Sequence, residues 1–228
     1  MSQYLVDFSN AEPARAGTHL VVLLHGYGSH ERDLTGLIPY LPSDEVTYAS
    51  LRAPQPVGYA LPADAESAYI GQAAMGYQWW PLNAQLETVG FRAIELTTDY
   101  VLDWLEPLVA DHKSVTLLGF SQGMAVATSV ARRRPELITA VVGLSGYAVD
   151  GGSDYFRDAE LTEDQKLQLF WGRGDSDPVI TAEKIEFTQQ WVEKYTQVEQ
   201  ELYPGLAHGI AAQELTHISA YLIEKVLG

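Results

Sequence analysis

The stretch SVTLLGFSQGMAVATSVARR, residues 114–133, places a serine between an apolar run and a second apolar segment of helical length. We predict a buried strand over Ser114–Gly119 and a helix over Met124–Arg133. The pentapeptide around Ser121 has the G-x-S-x-G pattern of a sharp strand-to-helix turn, which lifts a serine hydroxyl above a sheet. The flanking glycines are required because a Cβ would clash in so tight a turn. Ser121 is therefore the candidate nucleophile, and a purely structural turn is the alternative.

Short apolar runs alternate with amphipathic segments along the rest of the chain. Further strands are predicted over residues 18–26, 46–51, 137–144, 167–171 and 198–203, and further helices over residues 34–41, 91–112, 182–195 and about 212–226. Strands that are apolar throughout and separated by helices indicate an α/β fold, with a mostly parallel central sheet and helices on both faces. The segment Pro54–Gly90, rich in proline and aromatic residues, is predicted to be a long irregular loop. It is either a binding loop or lid, or a cover for one sheet edge.

Composition limits the possible functions. The 228 residues are 46% hydrophobic and predict a single domain, 1–228. A net charge of −16 disfavours nucleic acid and anionic membrane surfaces as partners. The absence of cysteine excludes disulfides, thiolate metal sites and cysteine nucleophiles. No apolar run reaches the length of a membrane span and the first twenty residues do not resemble a signal peptide, so we expect no membrane insertion and a cytoplasmic location.

A serine nucleophile needs a base within hydrogen-bond reach and a carboxylate that orients the base. Chain order Ser, Asp, His favours His208, in the loop after a predicted strand, over His217, which lies within the last helix. The loop after residue 171 offers Asp175 and Asp177. Pro178 holds its predecessor extended, which favours Asp177 as the orienting acid, whereas Asp175 is expected to tie the loop through backbone amides.

The sequence Leu24-His25-Gly26-Tyr27-Gly28 ends the first buried strand, where a second oxyanion donor is expected. The backbone N–H groups of Tyr27 and Gln122 are the candidate donors. His25 is interpreted as a structural histidine because it precedes Ser121 and ends a strand. His30, Glu31 and Asp33 form a cluster that could suggest a metal site, but solvated loop charge is the commoner explanation, and no metal or cofactor is expected.

The blocks L-L-H-G-Y-G, G-F-S-Q-G-M, G-D-S-D-P-V-I and G-L-A-H-G-I occur in this order. With them the chain resembles the carboxylesterase, phospholipase and acyl-protein thioesterase family of small α/β hydrolases over nearly its whole length. The resemblance implies an α/β-hydrolase fold without a separate cap domain. It also implies a Ser121, Asp177 and His208 triad, an oxyanion hole of the Tyr27 and Gln122 amides, and hydrolysis of carboxylic esters or thioesters without a cofactor. The excess of negative charge favours small neutral esters as the substrates.

Two features depart from the family pattern. Met124 stands where members commonly carry another glycine, which predicts a reshaped acyl side of the site. The stretch Tyr77-Gln-Trp-Trp-Pro-Leu is similar to an aromatic patch of bacterial members, and Tyr77, Trp79 and Trp80 are candidate pocket walls. Two functions compete with an esterase: a non-catalytic module that binds a small apolar ligand, and a hydrolase of amide or peptide bonds. Oligomeric state and acyl group are left open by the sequence.

Overall fold

The computed structural model describes residues 3–62, 64–82, 90–151, 154–161 and 166–228. Its strands are β1 (Val6–Phe8), β2 (His19–Leu24), β3 (Val46–Leu51), β4 (Gln55–Pro56), β5 (Tyr77–Gln78), β6 (Ser114–Phe120), β7 (Ala140–Leu144), β8 (Leu167–Gly174) and β9 (Thr196–Tyr203). Within the described ranges, a seven-stranded sheet has the spatial order β1-β3-β2-β6-β7-β8-β9, and β4 pairs with β5 separately. Only β1 runs antiparallel to its neighbour in the large sheet, so the prediction of a mostly parallel sheet is confirmed.

The central strands are apolar on both sides because both faces of the sheet are covered, whereas the edge strand β9 carries exposed polar residues. In β2, Leu20, Val22 and Leu24 belong to one hydrophobic cluster, and Val21 and Leu23 belong to the other. All five are essentially inaccessible to solvent. A strand buried on both faces reads as a continuous hydrophobic run rather than an alternating one, as observed.

Helices cover both faces, as predicted. They are α1 (Gly90–Val109), α2 (Gln122–Arg133), α3 (Ala182–Tyr195) and α4 (Ala212–Leu222). Buried side chains of α1, α2 and α3 share the cluster on one face of the sheet. Those of α4 share the other cluster with the turn around Leu34. Parallel strands direct their carboxyl ends to one edge, so the loops after β2, β6, β7, β8 and β9 meet there.

Several element boundaries differ from the predictions for identifiable local reasons. The segment Leu34–Tyr40 is a 3₁₀ helix rather than an α-helix, and it contains Pro39, which cannot donate to an α-helical ladder. The strand expected from Leu137 starts at Ala140, because Pro135–Leu137 form a 3₁₀ turn. The short edge strand β1 was not predicted, since its three residues are too few to show a period.

The segment Pro54–Gly90 was expected to be irregular, and its described part is irregular except at two places. Gln55–Pro56 and Tyr77–Gln78 pair as a small antiparallel ribbon. The bridge between Ser29 and Tyr77 joins this ribbon to the loop after β2. Residues 63 and 83–89 lie outside the described residues. The segment is therefore attached to the edge of the sheet that carries the strand carboxyl ends.

Because both faces of β2 are buried, the stability cost of shortening one of its side chains can be predicted. Leu23→Ala should lower the free energy of unfolding by about 3 kcal/mol, because it removes a fully buried side chain and leaves a cavity. Leu5, which is 51% exposed, is the matched control, and Leu5→Ala should change stability by less than about 0.5 kcal/mol. Denaturant titration of both variants measures the difference. Equal losses would contradict the two-face packing of the strand.

Candidate active site

Ser121 occupies a strained turn between β6 and α2. Its backbone has φ 55° and ψ −117°, and its N–H donates to the carbonyl oxygen of Leu144 at 2.8 Å. A Cβ on Gly119 would overlap the backbone of Gly123, and a Cβ on Gly123 would overlap the carbonyl oxygen of Leu24. Both glycines of the pentapeptide are thus required by close backbone approach. The serine hydroxyl is held at the carboxyl edge of the sheet.

His208 lies between Ser121 and Asp177. Its Nε2 is 3.0 Å from Ser121 Oγ and its Nδ1 is 2.8 Å from Asp177 Oδ2. Asp177 Oδ1 also accepts the backbone N–H groups of Val179 and Ile180. Burial alone would raise the pKa of Asp177, but the hydrogen bonds from His208 and these two amides outweigh it and hold the pKa below its usual range. An ionised carboxylate can only accept, so the ring proton of neutral His208 resides on Nδ1 and Nε2 is free to accept the Ser121 proton.

The two competing residues occupy other positions. Asp175 is exposed, and its Oδ1 accepts the N–H of Gly205 at 2.7 Å, tying the loops after β8 and β9 as expected. His217 pairs through Nδ1 with the hydroxyl of Tyr203 at 3.0 Å, within α4 and away from the serine. Of these acids and histidines, the structure brings Asp177 and His208 to Ser121.

The predicted oxyanion donors lie on either side of the turn. Gln122 is the first residue of α2, so its N–H has no acceptor within the helix. Tyr27 lies in the loop after β2, which packs against the backbone of Gly123. Throughout the described ranges, neither N–H donates a hydrogen bond to the protein. Both amides are available to a bound oxygen.

Residues near this loop have structural contacts. His25 is fully buried; its Nε2 accepts the N–H of Ala53 and its Nδ1 contacts the carbonyl of Gly26. Burial lowers the pKa of His25 to about 4, so it is neutral at physiological pH. Glu31, expected to be solvated, is instead buried and receives two hydrogen bonds from the Arg52 guanidinium. In the sequence cluster of His30, Glu31 and Asp33, the Glu31 carboxylate is therefore bonded to a guanidinium rather than free to bind a metal ion.

All four predicted pocket residues are buried core residues, and two of them, Met124 and Trp79, are fully inaccessible. The side chain of Met124 is fully buried and fills the space that Gly143 and Gly146 leave open under the turn. The expectation that Met124 reshapes the open acyl side is therefore wrong, because its side chain points into the core. Trp79 is also fully buried, and its indole N–H donates to the carbonyl of His25.

The other two aromatic residues differ in their location. Tyr77 contacts Arg52 and lines a cavity of about 300 Å³ beside β3, and this cavity is not lined by Ser121, Asp177 or His208. Trp80 accepts a hydrogen bond at its carbonyl from the Gln122 side chain, and its indole is paired with the Tyr147 hydroxyl. Trp80 is 5% exposed and, like Trp79, is hydrogen-bonded to the Gln122 side chain next to the serine turn.

Tyr147 was not predicted, although it directly follows the GLSG block at the end of a predicted strand. With Ile94, Ala148, Val149 and Phe187 it lines a cavity of about 270 Å³. The cavity is also lined by Asp150, Glu183 and Lys184, and the Lys184 ammonium lies 4.1 Å from the centre of the Tyr147 ring. A tyrosine three residues beyond a strand end was the available signal. Its partners come from α1 and α3, which only the folded chain brings together.

The loop that carries His208 is fixed from behind by two buried polar residues. Ser145, whose φ is 44°, donates from its hydroxyl to the carbonyl of Gly209 at 2.7 Å. Glu214 is fully buried and accepts the N–H of Ala211 at 3.1 Å. Its other oxygen contacts Gly172 and, within the described part of the chain, has no hydrogen-bond partner. Glu214 was not among the candidate residues predicted from the sequence.

In the portion of the chain that the structure describes, no group of three or more His, Asp or Glu side chains is arranged to hold a metal ion. None of the helices in the same portion combines the length and the apolarity needed to cross a bilayer.

The sequence profile of the phospholipase/carboxylesterase family matches residues 7–226. The chain belongs to this family. Acyl-protein thioesterase 1 of Kluyveromyces lactis is 23% identical over 219 residues, which cover 94% of this chain and 93% of that protein. Acyl-protein thioesterase 1 of Saccharomyces cerevisiae is 24% identical over 221 residues, with 92% and 93% covered. Family and relatives support the prediction of a hydrolase.

Solved structures support the fold assignment. Esterase PE8 superposes with a TM-score of 0.70 at 24% identity, covering 98% of this chain and 99% of that one. Acyl-protein thioesterase 2 of Zea mays has a TM-score of 0.67 at 17% identity, with 98% and 99% covered. The prediction of an α/β-hydrolase fold is confirmed.

Glu214 predicts a pH dependence of stability. Burial raises its pKa from 4.5 to about 7, partly offset by the Ala211 N–H. Because the folded state holds the proton more tightly, the stabilisation is complete below pH 4.5 and is lost as the pH rises through 7. Glu214→Gln lacks this loss and should gain up to about 3 kcal/mol relative to the unaltered protein between pH 5 and 8. Urea titrations across this range measure the difference, and a constant difference would contradict an elevated pKa.

Proposed function

We propose that this protein is a serine hydrolase that cleaves carboxylic esters or thioesters through an acyl-enzyme intermediate. The observation that carries the proposal is the continuous contact from Ser121 Oγ through both nitrogens of His208 to the Asp177 carboxylate. Two unpaired amides beside the serine support it, because acyl transfer needs donors aimed at a developing oxyanion. The family assignment supports the same chemistry.

The first half of the reaction acylates the serine. His208 Nε2 takes the Ser121 proton as Oγ attacks the acyl carbon, and the carbonyl oxygen becomes an oxyanion that the amides of Tyr27 and Gln122 bind. The tetrahedral adduct collapses as the imidazolium gives its proton to the departing alcohol or thiol. Asp177 stays ionised throughout, because its pKa is held low, and it stabilises the imidazolium.

The second half hydrolyses the acyl-enzyme. Water enters after the leaving group departs, His208 takes one of its protons, and the resulting hydroxide equivalent attacks the acyl carbon. The same two amides hold the second oxyanion, and collapse returns the proton from His208 to Ser121 Oγ. The products of this half are a carboxylic acid and the regenerated enzyme, so the proposed reaction needs no cofactor.

The cavity beside Tyr147 is not lined by Ser121, Asp177 or His208, and hydrogen bonds connect it to the serine turn through Trp80 and Gln122. We assign the acyl group to this cavity, and the assignment predicts a preference for short, neutral acyl groups. Its volume of about 270 Å³ lies below the roughly 300–1,000 Å³ of sites for drug-sized ligands. Five of its eight lining residues are apolar, which favours a hydrocarbon group. The net charge of −16 disfavours an anionic lipid surface as the source of substrate. A cytoplasmic location for this activity stays a prediction.

Turnover by purified protein tests the reaction class. A panel of p-nitrophenyl esters from acetate to palmitate, with acyl thioesters and peptide anilides in parallel, should show ester or thioester cleavage that falls as the chain lengthens. Ser121→Ala should lower kcat by about 10⁵-fold or more and abolish labelling by a fluorophosphonate. A protein that neither labels nor turns over any substrate would instead be the non-catalytic ligand-binding module. Faster cleavage of the anilides would indicate an amidase.

The acid can be tested against a control in its own loop. Asp177→Asn should lower kcat by about 10⁴-fold, because an amide cannot hold the productive tautomer of His208. Asp175→Asn changes a carboxylate only two positions away that contacts Gly205 and Ser176 instead. It should leave kcat within a few-fold of the unaltered enzyme. Similar losses in the two variants would contradict the assignment of Asp177.

A further inference from the structure

The segment Tyr77–Trp80 connects the two proposed oxyanion donors. We propose that this segment positions the oxyanion hole, and that the carboxamide of Gln122 is the positioning group that joins it to the nucleophile helix. This inference rests on the proposed function, since it assigns a task to residues around the same oxyanion. The sequence offered Tyr77, Trp79 and Trp80 only as pocket walls.

At one end, the segment holds the loop that contains Tyr27. The N–H of Gly28 donates to the carbonyl of Tyr77 at 2.8 Å, and the N–H of Tyr77 donates to the carbonyl of Ser29 at 2.8 Å. A Cβ on Gly76 would overlap the carbonyl of Gly28, so the two strands of backbone are in direct contact. The residues that immediately follow Tyr27 are therefore held by main-chain bonds to the segment.

At the other end, the segment is joined to Gln122. The Gln122 Oε1 accepts the backbone N–H of Trp79 at 3.1 Å, and its Nε2 donates to the carbonyl of Trp80 at 2.8 Å. The Trp79 indole N–H donates to the carbonyl of His25, which precedes Tyr27 by two residues. Gln122 is 2% exposed, so water does not compete for these bonds. The segment Tyr77–Trp80 thus contacts the residues before and after Tyr27, and it also contacts Gln122, which carries the second proposed oxyanion donor.

Glutamine suits this position for a chemical reason. Its carboxamide offers one acceptor and two donors at a fixed separation, which matches an N–H and a C=O on consecutive residues. Methionine has a similar length but offers neither strong donor nor strong acceptor. An ionised glutamate accepts from Trp79 but places a second negative oxygen against the Trp80 carbonyl.

The expected effect of loosening this connection falls on the transition state. Donors that stabilise an oxyanion must be held near their final positions before the charge develops. A displacement of about 1 Å at a reacting centre can lower the rate by roughly 10²-fold. Ground-state binding of a neutral ester depends less on these donors, so kcat should fall and KM should change little.

Gln122→Met and a control on the same helix, Ser129→Ala, test the proposal. Ser129 is also fully buried, but its hydroxyl donates to the carbonyl of Ala125 within α2 rather than to the segment Tyr77–Trp80. We expect Gln122→Met to lower kcat for p-nitrophenyl acetate about 10- to 100-fold with little change in KM. Inhibition by a trifluoromethyl ketone, whose serine adduct carries an oxyanion, should weaken by a similar factor. Ser129→Ala should change both quantities less than about 3-fold.

A second variant, Gln122→Glu, tests the proposal if Gln122→Met does not fold. In Gln122→Glu, the protonated carboxyl can donate to the Trp80 carbonyl and accept from the Trp79 N–H, as the carboxamide does. The ratio of its kcat to that of the unaltered enzyme should therefore rise as the pH falls. A pH-independent ratio, or equal losses in Gln122→Met and Ser129→Ala, would overturn the proposal.

Failure of this inference can be separated from failure of the proposed function. An unaltered protein that labels with fluorophosphonate and hydrolyses esters, together with a Gln122→Met variant of unchanged kcat and unchanged ketone affinity, removes the positioning role alone. An unaltered protein that neither labels nor hydrolyses removes the proposed function before any variant is compared.

Discussion

The close approach of Gly123 to the carbonyl groups of Leu24 and His25 is the contact on which the candidate site depends. Because no Cβ intervenes, the first turn of α2 packs directly on the backbone that leaves β2. Two loops far apart in sequence are thereby held at van der Waals distance, with Tyr27 on one and Ser121 on the other. Without that contact, the turn at Ser121 could still form, but the second amide would have no fixed relation to the serine.

Buried polar side chains form hydrogen bonds to the backbone of the other loops around the site and hold them in place. Gln122 reaches Trp79 and Trp80, His25 accepts from Ala53, and Ser145 donates to Gly209 beside the proposed base. Each contacts a backbone group of a loop, where no ladder of strand or helix supplies a partner. A buried amide or carbonyl left unpaired is costly, so each of these bonds restricts its loop to one arrangement.

The parts of the site that the sequence predicted are those whose signal is local. The glycines around Ser121 indicate a tight turn, and the proline after Asp177 indicates an extended backbone at Asp177. Continuous apolar runs indicate strands that are covered on both faces. The location of Met124 depended on the space left by Gly143 and Gly146, which the chain brings near it only on folding. The cavity around Tyr147 likewise joins α1 to α3. The spacing of residues along the chain does not show which distant residues come into contact on folding.

Two of the three non-glycine residues with positive φ among the described residues lie where the loops of the candidate site meet. In the described part of the chain, positive φ angles occur at the non-glycine residues Glu45, Ser121 and Ser145. The last two lie directly after the adjacent strands β6 and β7, and the N–H of Ser121 donates to the final carbonyl of β7. Each such conformation costs about 1–3 kcal/mol and persists only where the surroundings determine it. The doubly covered sheet offsets that cost, and an edge strand with one open face would provide less burial to do so.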